Sequence, residues 1–576
     1  MQEAKELPER INCRPPVEWM PHFTLGKVRK FTQRQMAFQA ERPSEPEMAN
    51  FVQSPCDEAL IHAGAAAAPC AKSAAPWILA ATILGSSMAF IDGTVVNVAL
   101  PALQRSLNAT VVDVQWVVEA YSLLLASLLL VGGSLGDHYG RRRIFNIGVV
   151  LFSVASLWCG LAASVGQLIV ARAVQGAGGA LLVPGSLAII SASFADRDRG
   201  HAIGVWSGFT AITAAIGPVL GGWLIERISW RAVFFINLPI GLVVLLLSFR
   251  CVPESWDKSG SKRLDWLGAA VATIGLGLVV YGLIESSRLS FGHPAVLSAL
   301  IVGGLTLVLF IYWEARTRNP MLPLTLFRSH DFAGANLLTL FLYGALGGTL
   351  FFLPMNLIQV QGYTATAAGA ALLPFILIMF LLSRWSGGLV TSYGAKLPLV
   401  VGPIIAAAGF ALLAVPGVGD NYWSAFFPGV VVLGLGMALS VAPLTTTVMN
   451  SVPANRVGIA SGINNAVSRA AGLLAIAALG IVMLHVFNRS LDSRLSSLEV
   501  SAEVRRSLED QRINLAATTI PKDIAPPMRQ ALKQAINESF VKGFQRVMLF
   551  GAVLALASGV TSLLLVSSDA KDFQNR

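Results

Sequence analysis

The sequence GSLGDHYGRRR, residues 133–143, lies between two long apolar stretches. It places an acid, three glycines and three consecutive arginines in a chain of 576 residues that is 54% hydrophobic and only 13% charged. Soluble proteins carry about 25% charged residues. The low charge, together with apolar blocks of about 20 residues that recur along the chain, indicates a protein that crosses a membrane many times.

About fourteen apolar spans are each long enough to cross a hydrocarbon core about 30 Å thick. Basic residues follow the second, fourth, sixth and eighth spans, whereas the loops of opposite parity contain fewer of them. Because cytoplasmic loops carry such an excess, both termini are expected in the cytosol. The spans cover residues 77–98, 114–135, 144–163, 167–190, 202–224, 232–250, 264–284, 295–313, 332–356, 366–388, 397–416, 423–447, 456–484 and 541–566.

Three polar segments accompany these spans. Residues 1–76 are expected to form a disordered cytosolic extension, and Met48 leaves open where translation begins. Residues 485–540 are expected as an external loop before the last span, and residues 567–576 as a cytosolic tail.

The composition and motifs exclude several function classes. The net charge of +10 is distributed over short loops, which does not favour nucleic-acid binding. Neither a G-x-x-x-x-G-K-[ST] nor an H-E-x-x-H motif occurs, and GGSLG, which matches the G-x-S-x-G hydrolase pattern, ends a membrane span rather than a strand. No enzyme activity, cofactor or metal is therefore expected. The five cysteines show no metal-ligand spacing, and no disulfide is predicted: Cys13, Cys56, Cys70, Cys159 and Cys251.

An internal repeat appears when the opening stretch is shifted by 254 residues. Gly133, Tyr139 and Gly140 then meet Gly387, Tyr393 and Gly394, and the same shift pairs Gly204 and Gly208 with Gly458 and Gly462. One register held at two places indicates duplicated six-helix halves, residues 77–250 and 332–566, with two extra spans inserted in residues 251–331.

Six stretches, in this order, resemble signatures of the major facilitator superfamily, specifically its fourteen-span drug:proton antiporter family. The resemblance covers about residues 77–480. It implies an all-α membrane fold and export of amphipathic drugs or toxic compounds in exchange for protons across a bacterial inner membrane, hence a role in antibiotic resistance. The stretches are FIDGTVVNVALP (90–101), GGSLGDHYGRRR (132–143), LIVARAVQGAGGA (168–180), GPVLGG (217–222), WRAVFFINLPIG (230–241) and NPMLPLTLF (319–327).

In this family the loop between spans 2 and 3 is a cytoplasmic gate. The resemblance implies that Asp137 holds the inward gate shut, while glycines permit close approach or positive φ. Alternatively, the arginines serve only as orientation charges. The second copy has Thr391 and Ala395 in place of Asp137 and Arg141, so the stronger gate is predicted in the first half. The candidate gate residues are Gly133, Gly136, Asp137, Gly140, Arg141 and Arg142.

Three ionisable residues lie within the spans of the first half: Asp92, Glu119 and Arg172. Counted from the span ends, all three are expected about 8 Å below the outer surface. Desolvation destabilises a carboxylate there and Arg172 would stabilise it, so making and breaking the pair would load and release a proton. Asp92 and Arg172 match family coupling positions. Relatives more often have a neutral residue at Glu119, which is therefore either an extra proton carrier or an attraction for cations. The alternative is a structural pair or an acid hydrated from outside.

Gly217, Pro218, Gly221 and Gly222 lie toward the outer half of span 5. Pro218 favours a kink, and the glycines let a neighbour pack against bare backbone. The resemblance implies that this motif marks antiporters and seals the outer side. Ordinary small-residue packing is the alternative.

Candidate residues of the substrate cavity are Gln175, Asn464 and Arg469. Arg469 lies well inside span 13, where its guanidinium group would contact an anionic substrate group or pair with an acid across the halves. A packed, snorkelling arginine is the alternative.

The expected partners are amphipathic small molecules, protons and the lipid bilayer. Two other transport functions stay open: dedicated export of one metabolite or lipid-like molecule, and service as the inner-membrane component of a tripartite pump, with a periplasmic adaptor protein docked on residues 485–540. The retained gate and antiporter motifs argue against a membrane receptor on a transporter scaffold.

Overall fold

The computed structural model describes residues 74–194, 196–256, 265–318, 320–453, 456–498, 500–521 and 523–567. Every regular element in this part of the chain is helical. The predictions for Met48, for nearly all of the two tails (1–76 and 567–576) and for the basic residues of 257–264 lie outside the described residues.

The spans predicted from hydropathy are all helices. Thirteen stretches within the described residues are long and apolar enough to cross a membrane. The remaining predicted span, 202–224, lies in a 32-residue helix that packs along the first one. The helices are α1 (Ala75–Ser106), α2 (Val111–Tyr139), α3 (Arg141–Leu161), α4 (Val165–Ser193), α5 (Asp196–Arg227), α6 (Ala232–Cys251, broken at Ile236), α7 (Trp266–Leu289), α8 (Pro294–Arg316), α9 (His330–Met355), α10 (Ala365–Ala370), α11 (Leu373–Tyr393), α12 (Lys396–Leu413), α13 (Phe427–Asn450), α14 (Val457–Leu495), α15 (Ala502–Asp510) and α16 (Pro526–Leu565).

Successive spans run in opposite directions, so the bundle has two ends. We call the end where α1 begins and α16 ends the terminal face, and the opposite end the capped face. At the terminal face, Ser567 after α16 donates a hydrogen bond to Asp331 at the start of α9. The α2–α3 turn lies at this same face.

The helix bounds follow the repeat found in the sequence. Shifted by 254 residues, α2 (Val111–Tyr139) falls on residues 365–393, which form α10 and α11. The turns that follow correspond too, since Gly140 and Gly394 both take positive φ, +107° and +75°. The correspondence ends at the sixth span, because residues 496–525 intervene before α16.

The two halves consist of α1–α6 and of α9–α14 with α16. Within the first half α4 packs against α2 and α3, and within the second α13 packs against α11 and α12. The halves touch each other where α5 meets α10 and where α2 meets α14. The inserted hairpin α7–α8 lies over the second of these contacts, because α7 packs against both α2 and α14.

The connection between α14 and α16 differs from the expected loop over 485–540. Helix α14 continues to Leu495 and α16 begins at Pro526, so both helices project beyond their apolar parts. An ion pair between Arg494 and Glu538 joins the projecting parts. The remaining residues, 496–525, which we call the cap segment, contain α15 and a 3₁₀ turn, and their Leu508 and Leu515 are buried in the main hydrophobic core.

Candidate transport site

Asp92 of α1 and Arg172 of α4 form an ion pair inside the first half. Both side chains are buried, with exposed fractions of 0% and 1%. Arg172 also donates from Nε to the carbonyl oxygen of Val117 at 3.1 Å, and its guanidinium carbon lies 4.1 Å from the ring centre of Tyr121. A membrane interior tolerates charges that are paired and hydrogen-bonded in this way.

Gln175 completes this network instead of lining a cavity. Its Oε1 accepts a hydrogen bond from Arg172 Nη1 at 2.7 Å, and its Nε2 donates to Asp92 Oδ1 at 2.9 Å. The side chain is fully buried. The sequence predicted a cavity residue, but Gln175 follows Arg172 by three residues and therefore lies on the same helix face.

Glu119 does not join the pair. It is fully buried, and neither carboxylate oxygen has a hydrogen-bond partner among the described residues. On α2 it shares a face with Val112 and Leu123, which belong to a hydrophobic cluster built jointly with α7 and α14. Val117, which accepts from Arg172, lies on a different face of α2. The predicted cluster of three therefore separates into a buried pair and a solitary acid at the contact between the halves.

The three residues lie at different distances from the helix ends at the capped face. Arg172 lies seven residues from the start of α4, Glu119 eight residues from the start of α2, and Asp92 fourteen residues from the end of α1. At 1.5 Å per residue these are about 10, 12 and 21 Å of helix. The distance is largest for Asp92 because α1 runs to Ser106, beyond the apolar part that ends near residue 98, and the ion pair brings Asp92 level with Arg172.

At the terminal face, the contacts of the α2–α3 turn lie within the first half. Asp137 accepts a hydrogen bond from Arg141 Nε at 2.8 Å, and its side chain is 46% exposed. The backbone amides of Arg142 and Arg143 donate to the carboxylate of Glu254 at 3.0 and 3.2 Å. Sequence analysis missed Glu254; its only signal was an acid directly after the sixth span.

The three glycines of this turn are not equivalent. Gly140 has a φ of +107°, and a Cβ atom there would lie 2.7 Å from Oε1 of Glu254. At Gly133 and Gly136 a Cβ atom would meet its nearest neighbours at 3.6 and 3.8 Å, which is ordinary contact. Close approach and positive φ therefore require glycine at Gly140.

At the capped face, α5 brings the two halves together. A Cβ atom on Gly222 would lie 2.5 Å from the carbonyl oxygen of Ala365, and one on Gly369 would lie 2.5 Å from the carbonyl carbon of Pro218. Glu226 accepts a hydrogen bond from the backbone amide of Thr366 at 2.7 Å. Gly369 is a further residue that sequence analysis missed. Gly217 and Gly221 face the other way, where Cβ atoms would meet Thr94 and Val95 of α1.

Helices α2 and α14 touch both near the capped face and toward the terminal face. Near the capped face, Gln115 donates a hydrogen bond to the carbonyl oxygen of Ile476 at 3.3 Å. Toward the terminal face, a Cβ atom on Gly462 of α14 would lie 2.8 Å from the Leu130 side chain of α2. Contacts between the halves therefore lie on both sides of Arg469 along α14.

The two candidate residues on α14 have different surroundings. Asn464 donates hydrogen bonds to Thr339 Oγ1 at 2.7 Å and to Asn336 Oδ1 at 3.2 Å, which ties α14 to α9 within the second half. Arg469 is partly exposed on the α14 face that turns toward α2.

A family model of the Major Facilitator Superfamily matches residues 82–476. The chain belongs to this superfamily. It is 36% identical over 419 residues to the multidrug resistance protein Stp of Mycobacterium tuberculosis, which covers 72% of this chain and 77% of Stp. It is 32% identical over 496 residues to the tetracenomycin C resistance and export protein of Streptomyces glaucescens, over 85% of this chain and 91% of that protein. The chain is therefore a multi-pass membrane transporter and not an enzyme.

Two solved structures of major facilitator transporters show the same fold. A bacterial homologue of the human lysosomal transporter Spinster, inward-facing and unoccupied, gives a TM-score of 0.60 at 19% identity and covers 86% of this chain and 98% of that one. The xylose transporter XylE from E. coli, in an inward-open conformation, gives 0.52 at 14% identity over 86% and 98%. The predicted family and fold class are confirmed.

Proposed function

We propose that this transporter exports amphipathic small molecules, drugs among them, in exchange for protons across the bacterial plasma membrane. The relatives named for drug resistance support export. The terminal face, with Arg141–Arg143, is assigned to the cytosol by its basic residues, so both termini are cytosolic. Substrate then enters between the halves from inside the cell when they separate at this face.

The observation that carries proton coupling is the solitary Glu119. Burial without a hydrogen bond penalises a carboxylate far more than the neutral acid, so this conformation accommodates a protonated Glu119. Because Glu119 lies where α2, α7 and α14 meet, movement of the halves changes its surroundings. A proton bound in one conformation is then released in the other.

The pair of Asp92 and Arg172 has a different part in this proposal. The two charges already neutralise each other, and Gln175 forms hydrogen bonds with both side chains. The pair holds α1 to α4 and keeps the first half rigid as the halves rock. The contact of Gly222 with Ala365 closes the outer side, and the α2–α3 turn around Asp137 would close the inner side in the opposite conformation.

Dye export by inverted membrane vesicles with an imposed pH gradient tests the proposal. Wild type is expected to show gradient-dependent transport, which Glu119→Gln abolishes because the amide cannot carry the proton. Glu285→Gln is the matched control, since Glu285 of α7 lies near the same contact but accepts a hydrogen bond from Trp116 at 3.2 Å. Transport by wild type that ignores the gradient, or unchanged coupling in Glu119→Gln, contradicts the mechanism.

The cap segment bears on the alternative of an adaptor protein docked outside. Its Leu508 and Leu515 are buried against its own chain, and its Asn514 accepts a hydrogen bond from Gln104 of α1 at 3.3 Å. We therefore assign this segment to the transporter itself. Deletion of the segment tests this assignment. If the deletion abolished export across the whole envelope but left transport in vesicles intact, an adaptor would be supported instead.

A further inference from the structure

Arg469 lies near the middle of the bundle. It follows the start of α14 by twelve residues, about 18 Å of helix from the terminal face. The apolar span of α14 continues beyond Arg469 to residue 484, about 22 Å of helix further. An arginine at this depth marks a functional site by default, because charge in the membrane interior is costly.

Unlike Arg172, Arg469 lacks a counterion. Arg172 bonds a carboxylate, an amide side chain and a backbone carbonyl. Arg469 has no hydrogen bond or ion pair with any residue in the described part of the chain, and it is partly exposed. The neighbouring positions Asn465 and Ser468 are also accessible, so this part of α14 is polar as well as positively charged.

The nearby acids do not neutralise this charge. Asp92 is already paired with Arg172. Glu119 is fully buried against α7 and α14, and its carboxylate oxygens have no hydrogen-bond partner among the described residues. In the described part of the chain, the positive charge of Arg469 is therefore not neutralised by an ion pair.

We propose that Arg469 binds the anionic group of the transported molecule, and that the preferred substrates are amphipathic anions such as carboxylates, phenolates or sulfonates. A guanidinium group pairs with such groups through two parallel hydrogen bonds. The inference rests on the proposed export function, because it places the transported molecule between the two halves. It names the chemical class of substrate that this function leaves open.

Binding of two dyes that share a xanthene ring system tests the proposal. Fluorescein is anionic at pH 8 and rhodamine 123 is cationic. The full chain is placed in nanodiscs of phosphatidylcholine, which has no net charge, and affinity is measured by fluorescence anisotropy against empty nanodiscs. The variants are Arg469→Gln and Arg469→Lys. Arg456→Gln is the matched control, because Arg456 lies at the start of the same helix on the surface and bonds Thr325.

Wild type and the control are expected to bind fluorescein at least tenfold more tightly than rhodamine 123. Arg469→Gln should weaken fluorescein binding about tenfold or more, because a charge-assisted hydrogen bond is lost. The fluorescein affinity of Arg469→Lys should lie between those of the wild type and Arg469→Gln, since lysine keeps the charge but cannot form two parallel hydrogen bonds. If Arg469→Gln does not fold, two measurements still test the proposal. They are the preference of the wild type for fluorescein over rhodamine 123 and the affinity of Arg469→Lys for fluorescein.

Three results would overturn the assignment. They are equal or inverted affinities of the wild type for the two dyes, no fluorescein binding by the wild type, and a fluorescein affinity in Arg469→Gln within twofold of wild type. A fluorescein preference that remains in Arg469→Gln would reduce Arg469 to a packing residue. No proton gradient is needed for binding, so failure of dye binding is distinct from failure of antiport in vesicles.

Discussion

Gly222 and Ala365 bring the main chains of the two halves into contact at the capped face, because a Cβ atom on Gly222 would lie 2.5 Å from the carbonyl oxygen of Ala365. Gly222→Leu is therefore expected to force the halves apart there. In a background without natural cysteines, the disulfide yield between Glu226→Cys and Thr366→Cys should fall several-fold. Gly208→Leu is the control, since nothing lies within 4 Å of a Cβ atom at this position on the same helix. An equal yield in both variants would contradict the close contact.

Asp92→Asn should destabilise the protein strongly. It leaves the buried guanidinium of Arg172 without a counterion, which costs about 3–5 kcal/mol. The double variant Asp92→Asn with Arg172→Gln removes both charges and should recover much of the loss. The midpoint of thermal unfolding measures both effects. A double variant less stable than Asp92→Asn would show that the pair does not act as a unit.

Gly140→Ala should cost more than Gly136→Ala. An alanine at Gly140 would have to adopt a positive φ, and its Cβ atom would lie too close to the carboxylate of Glu254. Strained backbone of this kind costs about 1–3 kcal/mol. At Gly136 the nearest atoms leave room for a methyl group. Thermal unfolding of the two variants distinguishes them, and equal losses would argue against a close approach of Glu254 to the turn.

Gln104→Ala should loosen the cap segment. The Gln104 amide donates to the carbonyl oxygen of Asn514 at 3.3 Å, and its Oε1 accepts a hydrogen bond from Gln359 at 3.0 Å. Loss of both is worth about 1–3 kcal/mol, so amide hydrogen exchange in residues 512–517 should quicken about tenfold. Gln361→Ala removes bonds to Gly417 and Gly419 within the second half and should leave this exchange unchanged.

The spans and the repeat could be predicted from the sequence, whereas helix ends and pairings could not. Hydropathy detects the part of a helix in contact with lipid, so it missed the polar extensions of α1 to Ser106 and of α14 to Leu495. Those extensions account for the length of helix between Asp92 and the end of α1 and for the overestimated loop at 485–540.

The pairings depend on helix rotation and on contacts distant in sequence. The separation of Glu119 from Arg172 could in principle be predicted from the sequence, because Val112 and Leu123 recur at helical spacing on the same face of α2 as Glu119. The contacts of Glu254 could not be predicted, since its partners Arg142 and Arg143 lie more than a hundred residues away. Both donate backbone amides, which carry no side-chain signature, and Arg142 adds an ion pair from Nε at 3.8 Å.

The inserted hairpin makes the two flanks of the transporter unequal toward the lipid. Helix α7 covers the contact between α2 and α14, whereas among the described helices none packs over the junction of α5 and α11. A hydrophobic molecule dissolved in the bilayer would therefore meet the added hairpin on one flank only. The duplicated halves alone would offer two related lateral entrances, and we expect the hairpin to obstruct one of them.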